Sequence, residues 1–239
     1  MKEFYTEQIK DFGLGNFINI TPTLKELSKT HRVVVWFANK TFEQCYIDCD
    51  WMTITQDKRP QPRIHSGTTN FRNTMADWEY CWSLVFGNRN VTENTYIDTP
   101  DIENPIKGKY GIFINGAGSE VESYLDMKLV DDETQELIKE LSPIPVYGLG
   151  GPNDQNRNIF EGFYGDIRLA LRIMADAEWI ITNATGLYHA AGALNKKQLV
   201  LWKDCLYPKN INMNDKCITA HKDEWKQKIK EFYEIYENE

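Results

Sequence analysis

The residues best suited to chemistry lie in Thr182-Asn183-Ala184-Thr185-Gly186, between the apolar run Trp179 to Ile181 and a helix of small residues containing Ala190, Ala191, Gly192 and Ala193. A turn of that composition at a helix start leaves backbone N–H groups without partners and aims the positive end of a helix dipole at one spot, which suits an anion such as phosphate. Thr185 adds a hydroxyl, and Gly186 lets a ligand approach the backbone. A plain strand-to-helix turn capped by Thr185 is the alternative reading. His189 falls in the first turn of the same helix, where it either reaches that ligand or packs as a structural imidazole.

Other clusters have the same character. Gly13, Gly15 and Asn16 form a G-x-G turn ahead of Phe17, Ile20, Leu24 and Leu27, which recur at helical spacing; its N–H groups suit an anion, and an ordinary turn reads the same way. Gly150, Gly151, Asn153 and Asp154 follow the run Ile144 to Tyr147. Glycine permits close approach there and Asp154 can hold ribose hydroxyls, although a polar loop of turn formers has equal claim. Ser119 closes a further small turn, Gly116-Ala117-Gly118-Ser119. Lys58, Arg59, Arg63, His65 and Arg72 crowd residues 57–72, and Trp36, Trp51, Phe71 and Trp78 flank them in sequence. That mixture suits a phosphate-bearing or stacked acceptor, or else a solvated charged loop over core tryptophans.

The elements that must position these residues alternate between strand and helix. The first half predicts a strand over Phe4–Ile9 and the helix carrying Phe17 to Leu27, which Pro22 either starts or kinks. A buried strand over Arg32–Phe37, a short helix over Thr41–Cys49 and a helix over Thr74–Phe86 follow. The second half predicts a strand over Gly111–Asn115, a helix over Asp132–Leu141, a strand over Ile144–Tyr147, a turn over Gly148–Gly151, and then helix, strand, turn, helix and strand over residues 166–202. Between Asp98 and Lys109 the chain carries prolines and charges without apolar period, so domains are expected at 1–104 and 105–221. Residues 222–239 predict an amphipathic helix on Trp225, Ile229, Phe232 and Tyr236, packing on the first half or the seam between halves. The pattern is α/β: two mostly parallel, doubly wound sheets, which hold ligands at the carboxyl ends of their strands.

Composition sets the bounds. A net charge of −8 over 239 residues argues against nucleic-acid binding through overall charge, though a local basic strip suffices for a narrower contact. Cys45, Cys49, Cys81, Cys205 and Cys217 are odd in number and lack C-x-x-C spacing, so neither a disulfide framework nor a zinc knuckle is expected, and a cytoplasmic setting fits. Cys45 and Cys49 read as core residues. The one D-x-D string, Asp48-Cys49-Asp50, sits in the wrong half for a donor metal, so no metal is expected. The first residues lack the apolar core of a signal peptide, and no apolar run is long enough to span a membrane. The sequence sets no oligomeric state.

Four blocks in order resemble the nucleotide-sugar glycosyltransferases of family 9, which include the heptosyltransferases: GLGNFINITPTLKEL (13–27), GIFINGAGS (111–119), VYGLGGPND (146–154) and ADAEWIITNATGLYHAAGALNKKQLVLW (175–202). The resemblance implies a GT-B architecture of two Rossmann-like domains, the first, reduced one on the acceptor side and the second holding the donor. It implies a sugar, hexosyl, pentosyl or heptosyl, moved from a nucleoside diphosphate to an acceptor hydroxyl with inversion. No metal or cofactor is implied beyond that co-substrate. Donor contacts are then expected at Gly13, Gly15, Ser119, Gly150, Gly151, Asn153, Asp154, Thr185, Gly186 and His189, and acceptor contacts at Lys58, Arg59, Arg63 and Arg72. The chain departs from the family at Asn16 and Ala184, where the family carries Asp. It also lacks a counterpart of the family's basic residue around Gly118–Met127, with Lys128 nearby. Asn16 stands at the catalytic position without being able to take a proton, so Asp11, His65 and Asp77 are the candidate bases. The acceptor expected is a glycan or lipid-linked saccharide. The alternatives are a hydroxymethylated base in phage-type DNA, or an inactive relative that only binds nucleotide.

Overall fold

The structure, a computed structural model, describes residues 2–8, 13–58, 82, 85–87, 93–116, 129–151, 154, 159–203 and 216–237. The chain divides into two compact units, Met1–Asp98 and Thr99–Glu239.

In the first unit, strand β1 (Lys2–Gln8), helix α1 (Leu14–Ser28), strand β2 (His31–Phe37), the short helix α2 (Lys40–Glu43) with a 3₁₀ turn (Gln44–Tyr46), and strand β3 (Met52–Thr55) follow in order. The strands form one parallel sheet in the order β1-β2-β3. Val33, Val34, Val35 and Phe37 of β2 are buried, and Phe17, Phe37 and Tyr46 close the core with ring centroids 4.8 to 5.7 Å apart. The expected first strand and the RVVVWF strand are both present. The predicted helix over Thr41–Cys49 is a single α turn passing into a 3₁₀ turn, and β3 was not anticipated.

Pro22 sits inside α1 rather than at its start. It has no N–H for the Ile18 carbonyl, and the Thr21 hydroxyl donates to that carbonyl instead, at 2.6 Å. The same hydroxyl accepts the Tyr96 N–H at 2.7 Å, so the Thr-Pro step also fastens the end of the unit onto its helix. Of the helix expected over Thr74–Phe86, Trp82, Val85 and Phe86 are described; they are helical, and Trp82 is buried against Phe86.

The second unit contains β4 (Gly111–Ile114), α3 (Asp132–Leu141), β5 (Val146–Gly150), β6 (Gly162–Tyr164), α4 (Ile167–Asp176), β7 (Trp179–Asn183), α5 (Gly186–Ala193), β8 (Lys197–Trp202), β9 (Cys217–His221) and, after a 3₁₀ turn, α6 (Trp225–Glu237). Its six strands are all parallel, in the order β6-β5-β4-β7-β8-β9. Helix α3 matches its predicted span and is capped by Asp131, whose carboxylate accepts the Thr134 N–H at 2.8 Å. Helix α4 is capped likewise by Asp166.

Gly148, Leu149 and Gly150 lie in strand β5 and not in a turn. Glycines lower strand propensity, but here they let strands meet: a Cβ on Gly162 would overlap the Gly148 carbonyl. The terminal helix, expected on the first half or the seam, buries its apolar face in the core of its own unit. Trp225, Ile229, Phe232 and Tyr233 pack with Trp179, Ile138 and Leu199, and the Tyr233 hydroxyl donates to the Ile138 carbonyl at 2.9 Å. Trp179 presents so large an apolar surface that the sheet needs this cover.

Candidate functional site

Strand order decides where a ligand fits in the second unit. From β4 the chain winds outward through β5 and β6, then returns to β7 beside β4 and winds the other way through β8 and β9. The connections leaving β4 and β7 therefore diverge, and a crevice opens at the carboxyl ends of these two strands. The residues there are Asn115 and Gly116 after β4, Ala184 to Gly186 after β7, and Gly150, Gly151 and Asp154 at the end of neighbouring β5.

Buried amides fix the crevice. Asn183, wholly buried at the end of β7, donates its side-chain N–H to the Gly116 carbonyl at 2.9 Å. Asn115, also wholly buried, accepts the Val130 N–H at 2.9 Å and donates to the Val130 carbonyl at 3.0 Å, which anchors the segment leading into α3. Three loops then converge on Gly116: a Cβ there would stand 3.5 Å from both the Asp154 carboxylate and the Thr185 methyl group. An alanine there would make ordinary van der Waals contact with both, and a branched side chain would extend among them.

Asp154 is held by its own loop, its carboxylate accepting the Gly151 N–H at 2.6 Å. A Cβ on Gly150 would overlap that carboxylate, so glycine at this position keeps Asp154 at the crevice. The expected turn role of Gly150 is thus corrected to a strand-end role with the same consequence, close approach of Asp154.

Thr182 and Asn183 belong to β7, so the turn is only Ala184-Thr185 and α5 opens at Gly186. Thr185 is the N-cap; its hydroxyl accepts the Leu187 N–H at 3.4 Å, a long contact that leaves the hydroxyl available to a better partner. No acidic side chain occupies the first turn of α5, so its dipole is not neutralised there. His189 stacks on Tyr188 with centroids 3.9 Å apart. Burial pushes its imidazole down to about 3, so it stands neutral and offers a hydrogen bond rather than a charge.

In the first unit, Gly13 is the N-cap of α1, in extended conformation. Gly15 and Asn16, expected in the turn, lie in the first turn of the helix, and the Asn16 N–H is spent on the Gly13 carbonyl at 3.1 Å. Lys58 stands over the Trp36 ring at 4.8 Å, the kind of basic and aromatic pairing expected of the acceptor loop. Sequence reading passed over Glu7. It is buried at 5 % exposure near the carboxyl end of β1, in register with Trp36 and, through it, Thr55. A single weakly patterned strand gives no sign of its facing partner; only pairing shows that row. Asp11, Arg59, Arg63, His65, Arg72, Asp77, Ser119 and Asn153 lie outside the described residues. Cys45 and Cys49 are buried, as read, and burial pushes the Cys49 thiol up to about 11. Among the described residues no group of three or more His, Cys, Asp or Glu side chains is gathered for a metal, and no helix is long and apolar enough to cross a membrane.

No family model and no curated protein matches the chain in sequence. Solved structures do match in shape. A family 9 glycosyl transferase from Veillonella parvula superposes with a TM-score of 0.67 at 13% identity, covering 93% of this chain and 86% of that one. Heptosyltransferase WaaC of E. coli, with ADP, gives 0.69 at 12% identity over 98% of this chain and 100% of that one. The E. coli ADP-heptose LPS heptosyltransferase II gives 0.69 at 11% identity over 99% and 98%. The two α/β units, their parallel sheets and the crevice at the ends of β4 and β7 thus make up the GT-B-like fold of the family 9 glycosyltransferases.

Proposed function

We propose that the chain is a glycosyltransferase of the heptosyltransferase type, moving a sugar from a nucleoside diphosphate to an acceptor hydroxyl with inversion. The observation that carries this reading is the crevice where Gly116, Asp154 and the Thr185–Gly186 helix start converge. The acceptor oxygen attacks the anomeric carbon from the face opposite the diphosphate, the bond to the diphosphate oxygen breaks, and the diphosphate leaves with the electron pair. The α5 N–H groups and the Thr185 hydroxyl stabilise that departing charge without a metal, and neutral His189 adds an N–H. Asp154, with Asn153, takes ribose or sugar hydroxyls, while Gly150, Gly151 and Ser119 line the donor and Gly13 and Gly15 place the reacting groups. Asn16 orients the acceptor by hydrogen bonding; its proton passes to a base among Glu7, Asp11, His65 and Asp77. Lys58, Arg59, Arg63 and Arg72 hold the acceptor, a glycan or lipid-linked saccharide, in the cytoplasm.

Asn16 and Ala184 favour a second reading, a relative that binds nucleotide without turning it over, since two carboxylates of the resembled pattern are replaced. Incubation with a panel of nucleoside-diphosphate sugars and lipid-linked saccharides, followed by release of free diphosphate, separates the two. Release that depends on acceptor is the expected result; binding without release selects the second reading, and neither binding nor release overturns both.

A further inference from the structure

The opposite edge of the six-stranded sheet gathers charge that the transfer reaction does not use. Lys109 precedes β4, Glu178 precedes β7, Lys196 precedes β8 and Lys197 opens it, and Lys216 precedes β9, so the amino edge of adjacent strands carries four ammonium groups and one carboxylate. These five side chains and Tyr236 of α6 line a cavity of about 590 Å³. Four ammonium groups against one carboxylate make this concave surface net positive in a chain of net charge −8.

Two details set this cavity apart from a solvated lysine row. Lys196 is half-buried and fixed, its ammonium donating to the Ala175 carbonyl at 3.0 Å. Burial holds its pKa below the usual lysine range even though the Glu178 and Asp176 carboxylates pull it up, with a smaller lowering from Lys216. Lys197 stands 5.7 Å from the centre of the Tyr236 ring, so the basic groups adjoin an aromatic wall.

We propose that this cavity binds a phosphate-bearing ligand, its phosphate or diphosphate group among Lys109, Lys196, Lys197 and Lys216 and its remainder against Tyr236. A soluble phosphorylated molecule and the headgroup of an anionic lipid present the same chemistry. The site is independent of the donor crevice, which lies at the far ends of the strands.

The test compares the full chain with its Lys197→Gln/Lys216→Gln variant, which alters surface side chains and spares the fixed Lys196. In one arm inorganic pyrophosphate is titrated at low salt. In the other the protein is sedimented with vesicles of phosphatidylcholine, with or without phosphatidylglycerol. The double variant is expected to bind pyrophosphate about 10-fold more weakly, as loss of two partly exposed charges predicts. Loss of vesicle retention in the variant as well identifies the lipid source, whereas a weakened pyrophosphate arm with no vesicle retention identifies a soluble ligand. Equal behaviour of the two proteins in both arms, or no binding in either, overturns the proposal.

Discussion

At the carboxyl edge of the six-stranded sheet the positive potential comes from the backbone, as the dipole at the start of α5, beside Gly116 and a neutral imidazole. At the amino edge it comes from lysine ammonium groups around a cavity. Backbone dipoles are fixed by the fold, so they stabilise a charge at one place and one orientation, as a reacting diphosphate needs. Ammonium groups on flexible stems accept many anion shapes, and salt screens them within about 10 Å at 0.1 M. The difference teaches how one sheet can present two positive edges with little overlap in residue type.

The comparison is broken most severely at Gly150. Replacing it by Ala drives a methyl group into the Asp154 carboxylate. The carboxylate then turns away from the Gly151 N–H, and donor affinity drops roughly 10- to 100-fold by calorimetry, with the lysine cavity unaffected. Thr185→Val is milder. It removes the hydroxyl and the cap of α5, costing about 1 kcal/mol of stability in chemical denaturation and weakening donor binding about 10-fold. Retained affinity in this variant would mean that the diphosphate does not use the Thr185 hydroxyl.

A separate effect is a pH dependence from His189. Native His189 stays neutral down to about 3, whereas the same residue in the unfolded chain takes a proton below 6.5. Unfolding therefore takes up a proton between these values, and stability falls as pH falls through that window, by at most about 1.4 kcal/mol per pH unit. His189→Gln is expected to flatten that part of the stability curve between pH 6.5 and 3; an identical slope in the variant would show the imidazole to be charged in the fold.

Strongly periodic or bounded segments were legible in the sequence. Asp132–Leu141 has an Asp cap and an apolar stripe, and Trp179 to Trp202 shows its strand, turn, helix and strand in order. What stayed hidden depends on neighbours distant in sequence. Gly162–Tyr164 and Cys217–His221 are short strands at the sheet margins, made strands by pairing with β5 and β8. Gly148 reads as a turn residue until Gly162 is placed beside it. Thr185, Gly186 and Asp154, expected by type and spacing, lie at the carboxyl ends of β7 and β5. Gly116 gained its meaning only when Asp154 and Thr185 were seen to converge on it, and the lysine cavity gathers positions 109 to 236 that no motif links.

The central claim is that the crevice at the ends of β4 and β7 holds a nucleoside diphosphate. It is tested most directly by calorimetric titration of ADP, UDP, GDP and CDP into the chain and into its Gly116→Val variant, with thermal unfolding of both as a control. Saturable binding of at least one diphosphate, lost in the variant while its unfolding temperature stays close to that of the parent, is the result predicted. Binding of equal strength in both proteins, or no binding of any diphosphate to the parent chain, would contradict it.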